Sequence, residues 1–582
     1  MNTPAPAYGE TAQTNGHEFT QGEGYHLPEY PFVPPPELAR SDTVRHPIVI
    51  VGAGLTGLTL AASLARLGVP AVLLDEDNTV GVKGAASRGI CYAQKSLEIF
   101  QRIGVFDRIA AKGIQWNVGR TFAGQDEVYT FDLRQQQSFN LSQQPPFINL
   151  QQFYVEGYLV ERIAELGLVE LRWRNRLVDF EQNKDVATLT VETPAGRYRI
   201  EAEHVIDTSG AHSPLRQWLK VPVTGYHGDD RWCLADVRFG TRPPVERRTW
   251  IEAPFNDNRA VWQHLMADDV WRIDYQMPSD SDPAEACREE VVRERLARQF
   301  GAEVPVEVVW AGPYAYRNEC VDQMRSGRVF FVGDAAKVVS PFGARGGNTG
   351  IADADNLAWK LAAVLRGQAP PKLLDSYHAE RHQAATDNVR VTSRTARFLR
   401  PGNGVEHLFR NAALSLARQQ AFARALVNTG RMSVATTYTR SPVCSRGSSH
   451  AGESVQNAVF RWAGNGNGLG CLNDLLRWAD GRLLVLVFGD LSLAACERLA
   501  DLSRHAPLRS VQVLDADATP QAVEHIRDVN PRGVGHLQGA CHVFGHAWAL
   551  VRPDGHLAAT GEAVDASLVH AVETALAVPT FL

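Results

Sequence analysis

The sequence predicts an α/β protein with a sheet-rich insertion, and three observations carry that reading. An apolar run at Ile48 to Val51 leads through closely spaced glycines into a helical pattern and a second short strand, a β-α-β start. Strand-like runs then dominate between about 221 and 319. Alternating strand and helix patterns return at about 329, and again after 480.

In chain order, residues 1–45 hold seven prolines and no apolar periodicity, so they read as a proline-rich arm laid on the surface or disordered. A first α/β part spans 46–220. It contains strand Ile48 to Val51, a helix from about Leu58 to Leu67, strand Ala71 to Leu74, a helical stretch from Gln151 to Leu166, and strands at Val186 to Val191 and Tyr198 to Ile200. Residues 221–319 read as an inserted sheet unit with strands Trp232 to Phe239, Ala260 to Met266 and Val270 to Met277, the acidic turn Ser279 to Asp282, and a helix near Glu289 to Phe300. The first part resumes over 320–400 with strand Val329 to Val332, a helix from about Thr349 to Arg366, and a long helix carrying Tyr377, Glu380 and Arg381. Residues 401–460 read as a helical connection that runs out in a Ser-, Gly- and Asn-containing stretch. Residues 461–582 form a small α/β unit: strands Leu483 to Phe488, Val511 to Leu514 and Ala547 to Val551, with helices Leu493 to His505 and Ala566 to Ala577.

Composition narrows the function class. A chain of 582 residues exceeds one compact core and allows several folding units. Apolar residues at 44% and charged residues at 21% are ordinary for a globular protein. A net charge of -6 gives no broad attraction to nucleic acid or anionic lipid, which leaves small-molecule chemistry. The eight cysteines are scattered, with no CxxC and no metal-ligand spacing, so no metal site is expected and the thiols suit a reducing cytosol. Ile48 to Ala65 is uncharged for 18 residues, the lower limit for a membrane span, but its fixed-spacing glycines argue for a turn instead. No basic, apolar leader stands at Met1. A cytoplasmic protein without membrane or nucleic-acid partners is the expectation.

The chemistry-bearing motif is Val51-Gly52-Ala53-Gly54-Leu55-Thr56-Gly57, a GxGxxG between strand and helix. Gly52 permits the tight turn, Gly54 lets the backbone approach a pyrophosphate, and Gly57 allows close helix packing, with Ala53 and Thr56 in the same turn. Free N–H groups at the helix start then face the negative phosphates. Asp75, with Glu76 beside it, ends the second strand at the spacing of an acid that bonds a ribose hydroxyl. This Rossmann-type pattern does not separate FAD from a nicotinamide dinucleotide.

A second motif does. The run Gly327 to Ala336, containing Gly333-Asp334, resembles the second flavin fingerprint of the single-component FAD-dependent aromatic-ring hydroxylases, the p-hydroxybenzoate hydroxylase-like superfamily. Ser340-Pro341-Phe342-Gly343-Ala344-Arg345-Gly346-Gly347-Asn348, followed by Asp353, Asn356 and Lys360, resembles the same family's proline- and glycine-rich loop and its helix. A glycine-rich loop at a helix start presents N–H dipoles where a reduced flavin gathers negative charge. The resemblance further places Arg88 near the FAD pyrophosphate and Gln152 against the flavin, and covers roughly residues 46–400. The sequence departs from the family at Ser209, where an aspartate is usual before Gly210, and at Lys337, where histidine is common. The unit over 461–582 resembles the thioredoxin-like domain of the phenol hydroxylase, hydroxyphenylpropionate hydroxylase and pentachlorophenol hydroxylase branch, including Val551-Arg552-Pro553-Asp554-Gly555-His556, but without CxxC, which implies a structural or oligomer-contact role.

The resemblance implies an FAD-dependent monooxygenase that takes electrons from NADPH or NADH, uses O2 through a flavin C4a-hydroperoxide, and hydroxylates a phenolic or other electron-rich aromatic substrate. A homodimer is compatible with it. A polycyclic or polyketide substrate, or a noncatalytic or differently reduced flavoprotein, stays open. The substrate-deprotonating residue is unknown. His212, His264 and Tyr275 are candidates, and Trp116, Trp262 and Trp271 could line a pocket, although core packing accounts for such residues more often.

Overall fold

The computed structural model describes residues 25–40, 42–81, 89–240, 244–424, 426–427, 432–462, 468–514, 520, 524–527, 536–543 and 545–579, excluding the side chains of 226–230 and 315–316. Two eight-stranded sheets position the site. In the first, strands Val329–Phe331, Gly196–Asp207, Val44–Val51, Ala71–Leu74 and Val169–Arg172 lie side by side in that order and run parallel. Ile48, Val49 and Ile50 are wholly buried, as a parallel strand covered on both faces requires. The register sets Val51 beside Leu74 and Asp207, and Asp207 beside Phe331, so these strands end level. Because the chain crosses from Val44–Val51 to neighbours on opposite sides, a crevice opens beyond their carboxyl ends, where such sheets hold ligands.

The first helix is Leu55–Arg66, three residues earlier than the sequence suggests, because Gly54 serves as its N-cap. Helix Gln152–Leu166 and helix Gly346–Leu365 both pack against it.

The second sheet runs Lys337–Val338, Val306–Val321, Val223–Phe239, Val270–Gln276, Arg259–Leu265, Arg247–Ala253, Val118–Ala123, Asp126–Asp132. It therefore draws in residues 118–132, which local pattern had left with the first α/β part. Val118–Ala123 pairs in parallel with Arg247–Ala253, a pairing across more than a hundred residues that no local signal announces. Helix Glu289–Phe300 covers one face of this sheet through Val292 and Leu296. The other face is turned towards Phe342 of the glycine-rich loop and the helices after 375.

Residues 459–576 build a seven-stranded sheet in which Leu483–Phe488 pairs in parallel with Leu508–Leu514 and antiparallel with Trp548–Val551. Four of its strands, Val459–Trp462, Gly468–Cys471, His525–Arg527 and Leu557–Gly561, were not evident in the sequence. The described part of the N-terminal arm is a correction too. It is not simply laid on the surface, because Tyr30 stacks on Trp173 at 4.7 Å, Glu37 is buried and accepts from Arg172 at 3.0 Å, and Tyr25 donates to Asp236 at 2.7 Å. The arm before residue 25 lies outside the described residues.

Candidate active site

The glycine turn behaves as its chemistry demands. Gly52 has φ +104, and a Cβ there would stand 2.6 Å from the Thr208 carbonyl oxygen. A Cβ on Gly57 would stand 2.0 Å from the Gly52 carbonyl oxygen, so helix and turn touch backbone to backbone. Gly54 differs: nothing lies within 4 Å of its Cβ position, and it is exposed between buried Ala53 and Leu55. The turn thus opens into the crevice at the one glycine through which a pyrophosphate would approach. Asp75 braces the turn by accepting the N–H of Ala53 at 2.5 Å and that of Asp77 at 2.8 Å, while burial pushes its pKa up to about 6. Glu76 is exposed next to it.

Thr56 joins the two glycine motifs. Cβ atoms on Gly333 and Gly350 would stand 2.6 and 2.5 Å from the Thr56 Oγ1, which is why glycine is needed at both. Asp334 is the single exposed residue between Val329 and Ser340, and it is the carboxylate directly past the end of a parallel strand. Behind it, the Gly333 N–H donates to Asp353 at 3.1 Å, and Asp353 is held by Lys337 and by Arg381 Nε at 2.5 Å. The unusual Lys337 is therefore a buried counterion beneath the fingerprint. In the following loop Pro341 accepts the Ala344 N–H at 2.8 Å, Gly343 has φ +79, and helix Gly346–Leu365 begins with Gly346 and the exposed Gly347. Asn348 has its amide fully engaged by protein: it accepts from the Ala93 N–H and Ser96 hydroxyl, and donates to the Cys91 and Ala344 carbonyls. It clamps strand Cys91–Ala93 to the loop.

Gln152 accepts the Gly89 N–H at 3.0 Å and donates to Glu156 at 2.7 Å. Glu156, one helical turn on, also accepts the Gly81 N–H at 2.6 Å, and burial pushes its pKa up to about 7. The Gln152-x-x-x-Glu156 spacing could have flagged that pairing. Arg88 lies outside the described residues. Ser209 donates its hydroxyl to Asp207 at 2.5 Å, and Ser213 donates to the other oxygen of Asp207, so the carboxylate missing at 209 has a neighbour two residues earlier.

The second sheet turns an unusual face towards the loop. Register places Asp236, Leu234 and Trp232 of one strand, Arg272, Asp274 and Gln276 of the next, and His264 and Trp262 of a third on this side. The Trp262 ring meets Phe342 of the loop edge-on at 5.1 Å, and Arg247 lies over the Trp262 ring at 5.4 Å. Asp236 is satisfied by Arg272 Nε at 2.5 Å, Arg272 Nη2 at 3.2 Å and the Tyr25 hydroxyl. Asp274 is not: its Oδ1 lies 4.0 Å from Arg272 Nε and accepts no hydrogen bond, and the indole N–H of Trp262, directly across the strand pair, has no acceptor. Burial pushes the Asp274 pKa up to about 7. Sequence reasoning missed Tyr25, Asp236, Arg272 and Asp274. For Asp236, Arg272 and Asp274 the signal was charge at alternate positions of otherwise apolar strands, whereas Tyr25 lies in the arm before the first strand and offered none.

The sequence candidates separate accordingly. Tyr275 donates to Gln299 at 2.8 Å on the opposite face, and Trp271 sits in the same core. Trp116 donates to Asn149 at 2.7 Å within a core cluster. His212 is exposed, 3.4 Å from Arg317. His264 is buried on the loop-facing side, its Nδ1 3.9 Å from the Cys91 sulfur, and burial holds its pKa well below the usual histidine value.

The profile of the family described as FAD binding domain matches residues 45–392. The 3-(3-hydroxy-phenyl)propionate/3-hydroxycinnamic acid hydroxylase of Mycolicibacterium smegmatis is 28% identical over 356 residues, and the chain spans 62% of that relative's length and 61% of its own. The 6-methylpretetramide 4-monooxygenase of Streptomyces rimosus is 28% identical over 541 residues, 88% of this chain and 90% of that one. Among solved structures, the flavin-dependent monooxygenase PieE, in complex with FAD and substrate, superposes with a TM-score of 0.77 at 20% identity over 92% of this chain and 100% of its own. With the two glycine motifs meeting at Thr56 inside the matched stretch, the chain belongs to the FAD binding domain family, within the superfamily of FAD-dependent aromatic hydroxylases.

Proposed function

We propose that this protein is a monooxygenase that uses NADPH or NADH and O2 to hydroxylate a phenolic or other electron-rich aromatic substrate. The observation that carries the proposal is the buried aromatic and charged sheet face set against the flavin loop, with Trp262 touching Phe342. FAD would lie across Gly52, Ala53, Gly54, Thr56 and Gly57, with Asp75 and Glu76 at its ribose, Arg88 and Gln152 along its length, Asp334 at the ribityl chain, and Pro341, Gly343, Gly346, Gly347 and Asn348 framing the ring. Bound FAD supplies the electron transfer and oxygen chemistry. The protein's share is to position the ring, exclude water and move a proton. Asp274 takes the proton: its buried Oδ1 lacks a hydrogen-bond donor that a phenolic hydroxyl would supply, and that hydroxyl can accept from the equally unpartnered Trp262 N–H in return. The strand order of the C-terminal unit supports reading it as thioredoxin-like with a structural role, and a cytoplasmic location suits the reaction. Among the described residues no helix is long and apolar enough to cross a membrane.

A larger, polycyclic substrate is the second reading, favoured by the polyketide-type relative that aligns over 88% of this chain. Mixing the FAD-loaded protein anaerobically with NADPH or NADH, with and without simple phenols and polycyclic phenols, tests both. Slow flavin bleaching alone, faster bleaching with the right phenol, and a product one oxygen heavier in air are expected. Flavin that no nicotinamide reduces would sink the monooxygenase assignment, and peroxide as the only product with every simple phenol would move the substrate to the polycyclic class.

A further inference from the structure

The described part of the N-terminal arm, which precedes the family-matched stretch 45–392, begins against the charged sheet face. Its course is fixed by the loop after strand Ala71–Leu74. The Tyr30 N–H donates to the Asn78 carbonyl at 2.7 Å, the Thr79 hydroxyl donates to the Pro28 carbonyl at 2.6 Å, and Tyr30 stacks on Trp173. Tyr25 is thereby set between the flavin side and the second sheet. Its ring lies 4.9 Å from Phe153, the neighbour of Gln152, and its hydroxyl donates to Asp236 Oδ2 at 2.7 Å. Burial, with Asp236 adding to it, pushes the Tyr25 pKa far up, so the hydroxyl keeps its proton and acts as a fixed donor.

Tyr25 and Arg272 compete for that carboxylate oxygen. Asp236 and Arg272 stand directly across the strand pair, and Asp274 follows two residues after Arg272 on the same face. Arg272 gives its Nε to Asp236 Oδ1 at 2.5 Å but reaches Oδ2 with Nη2 only at 3.2 Å, where the Tyr25 hydroxyl donates at the shorter distance. The guanidinium fork is not closed on Asp236, and the same Nε lies 4.0 Å from Asp274 Oδ1. The other titratable groups around Asp274 are Arg247, His264 and Cys91, from three further strands, and Cys233 on the opposite face. Among the described residues none of these four bonds Asp236, so Tyr25 is the one group that shares it with Arg272. Without the hydroxyl, Oδ2 passes to Nη2, the fork closes on Asp236, and Asp274 loses part of the attraction that favours its carboxylate. On the reading that Asp274 takes the substrate proton, we propose that Tyr25 is a positioning residue: by occupying Asp236 it holds Arg272 between the two carboxylates, so that the N-terminal arm governs how readily Asp274 serves as a base.

Infrared titration of the FAD-loaded full-length protein from pH 5 to pH 9 tests this through the protonated-carboxyl band. Each protein is read against the same protein carrying Asp274→Asn, which cancels the other buried carboxyls, Asp75 and Glu156. The difference band of the wild type is expected to fade with a midpoint of about 7. Tyr25→Phe keeps the ring on Phe153 and is expected to move that midpoint up by about one unit. Tyr25→Leu removes the same hydroxyl and is expected to move it the same way, which keeps the test open if the phenylalanine variant fails to fold. A hydroxyl that served the fold alone would lower the melting temperature and leave the midpoint in place. A wild type with no difference band overturns the Asp274 reading and this inference with it. A wild-type band at the expected midpoint that neither Tyr25 variant moves upward overturns this inference alone and leaves the Asp274 reading standing.

Discussion

At Asp274 the demands of folding and of chemistry oppose each other. The carboxyl is buried beside Arg272 and Arg247, which favour its charge, and Asp236, which disfavours it; burial and Asp236 together outweigh the two arginines and push the pKa up to about 7. Folding therefore favours the neutral acid. Its contribution to stability is fully present below the ordinary carboxyl value of 3.8 and is lost as pH rises through about 7. Asp274→Asn keeps the shape and cannot ionise. Thermal melts of the FAD-loaded proteins should show the variant gaining on the wild type by ~3 kcal/mol between pH 5 and pH 8. Parallel curves would remove this charge from the energetics. The same variant should bind phenols without ionising them, the expected trade of function for stability at a site held against its own preference.

At the scale of elements, the glycine turn separates two kinds of glycine that the sequence motif treats alike. Gly57 lies against backbone: an added Cβ would meet the Gly52 carbonyl oxygen at 2.0 Å, so Gly57→Ala must push the helix off the turn. Gly54 faces open space, with nothing within 4 Å. Gly57→Ala should therefore destabilise the apoprotein by about 1–3 kcal/mol and lose FAD affinity as well. Gly54→Ala should leave the melting of the apoprotein unchanged and weaken FAD alone, as read by titration of flavin fluorescence. Equal losses of stability in the two variants would mean that Gly54 is structural and not an opening for phosphate. This contrast also marks how far the sequence could be read. Helices Glu289–Phe300 and Leu493–His505 and strands Ala71–Leu74 and Leu483–Phe488 stand at their expected bounds because apolar period and caps are local properties. The turn at Gly52 to Gly57 was legible for the same reason. The strand Val118–Ala123, the anchoring of Tyr25 on Asp236, and the open Asp274 were not, because each depends on register between segments distant in the chain.

Across the whole molecule, a buried chain of polar contacts joins the C-terminal unit to the flavin loop. Arg552 reaches Glu380 at 2.5 and 3.0 Å and Asp554 at 2.5 Å, and Lys360 and Asn356 each meet Glu380 at 2.7 Å. Asn356 also donates to Tyr438 at 3.4 Å, Tyr438 accepts from Arg381 at 2.8 Å, and Arg381 holds the Asp353 that receives the Gly333 N–H. Burial would raise the pKa of Glu380, yet Arg552 and Lys360 hold it well below the usual carboxylate range, so the charges are fixed across the units. Such a cluster is only weak evidence for stability, but removing one member strands the others. Arg552→Met leaves Glu380 with Lys360 as its remaining cationic partner and Asp554 without its arginine, at an expected cost of about 3–5 kcal/mol. If the path couples the units, melting of the C-terminal unit and release of FAD should move to lower temperature together, in a single transition followed by circular dichroism and flavin fluorescence. If instead a separate low-temperature transition appears while flavin leaves at the wild-type temperature, the C-terminal unit is an adjacent body and the charge path carries no load to Gly333.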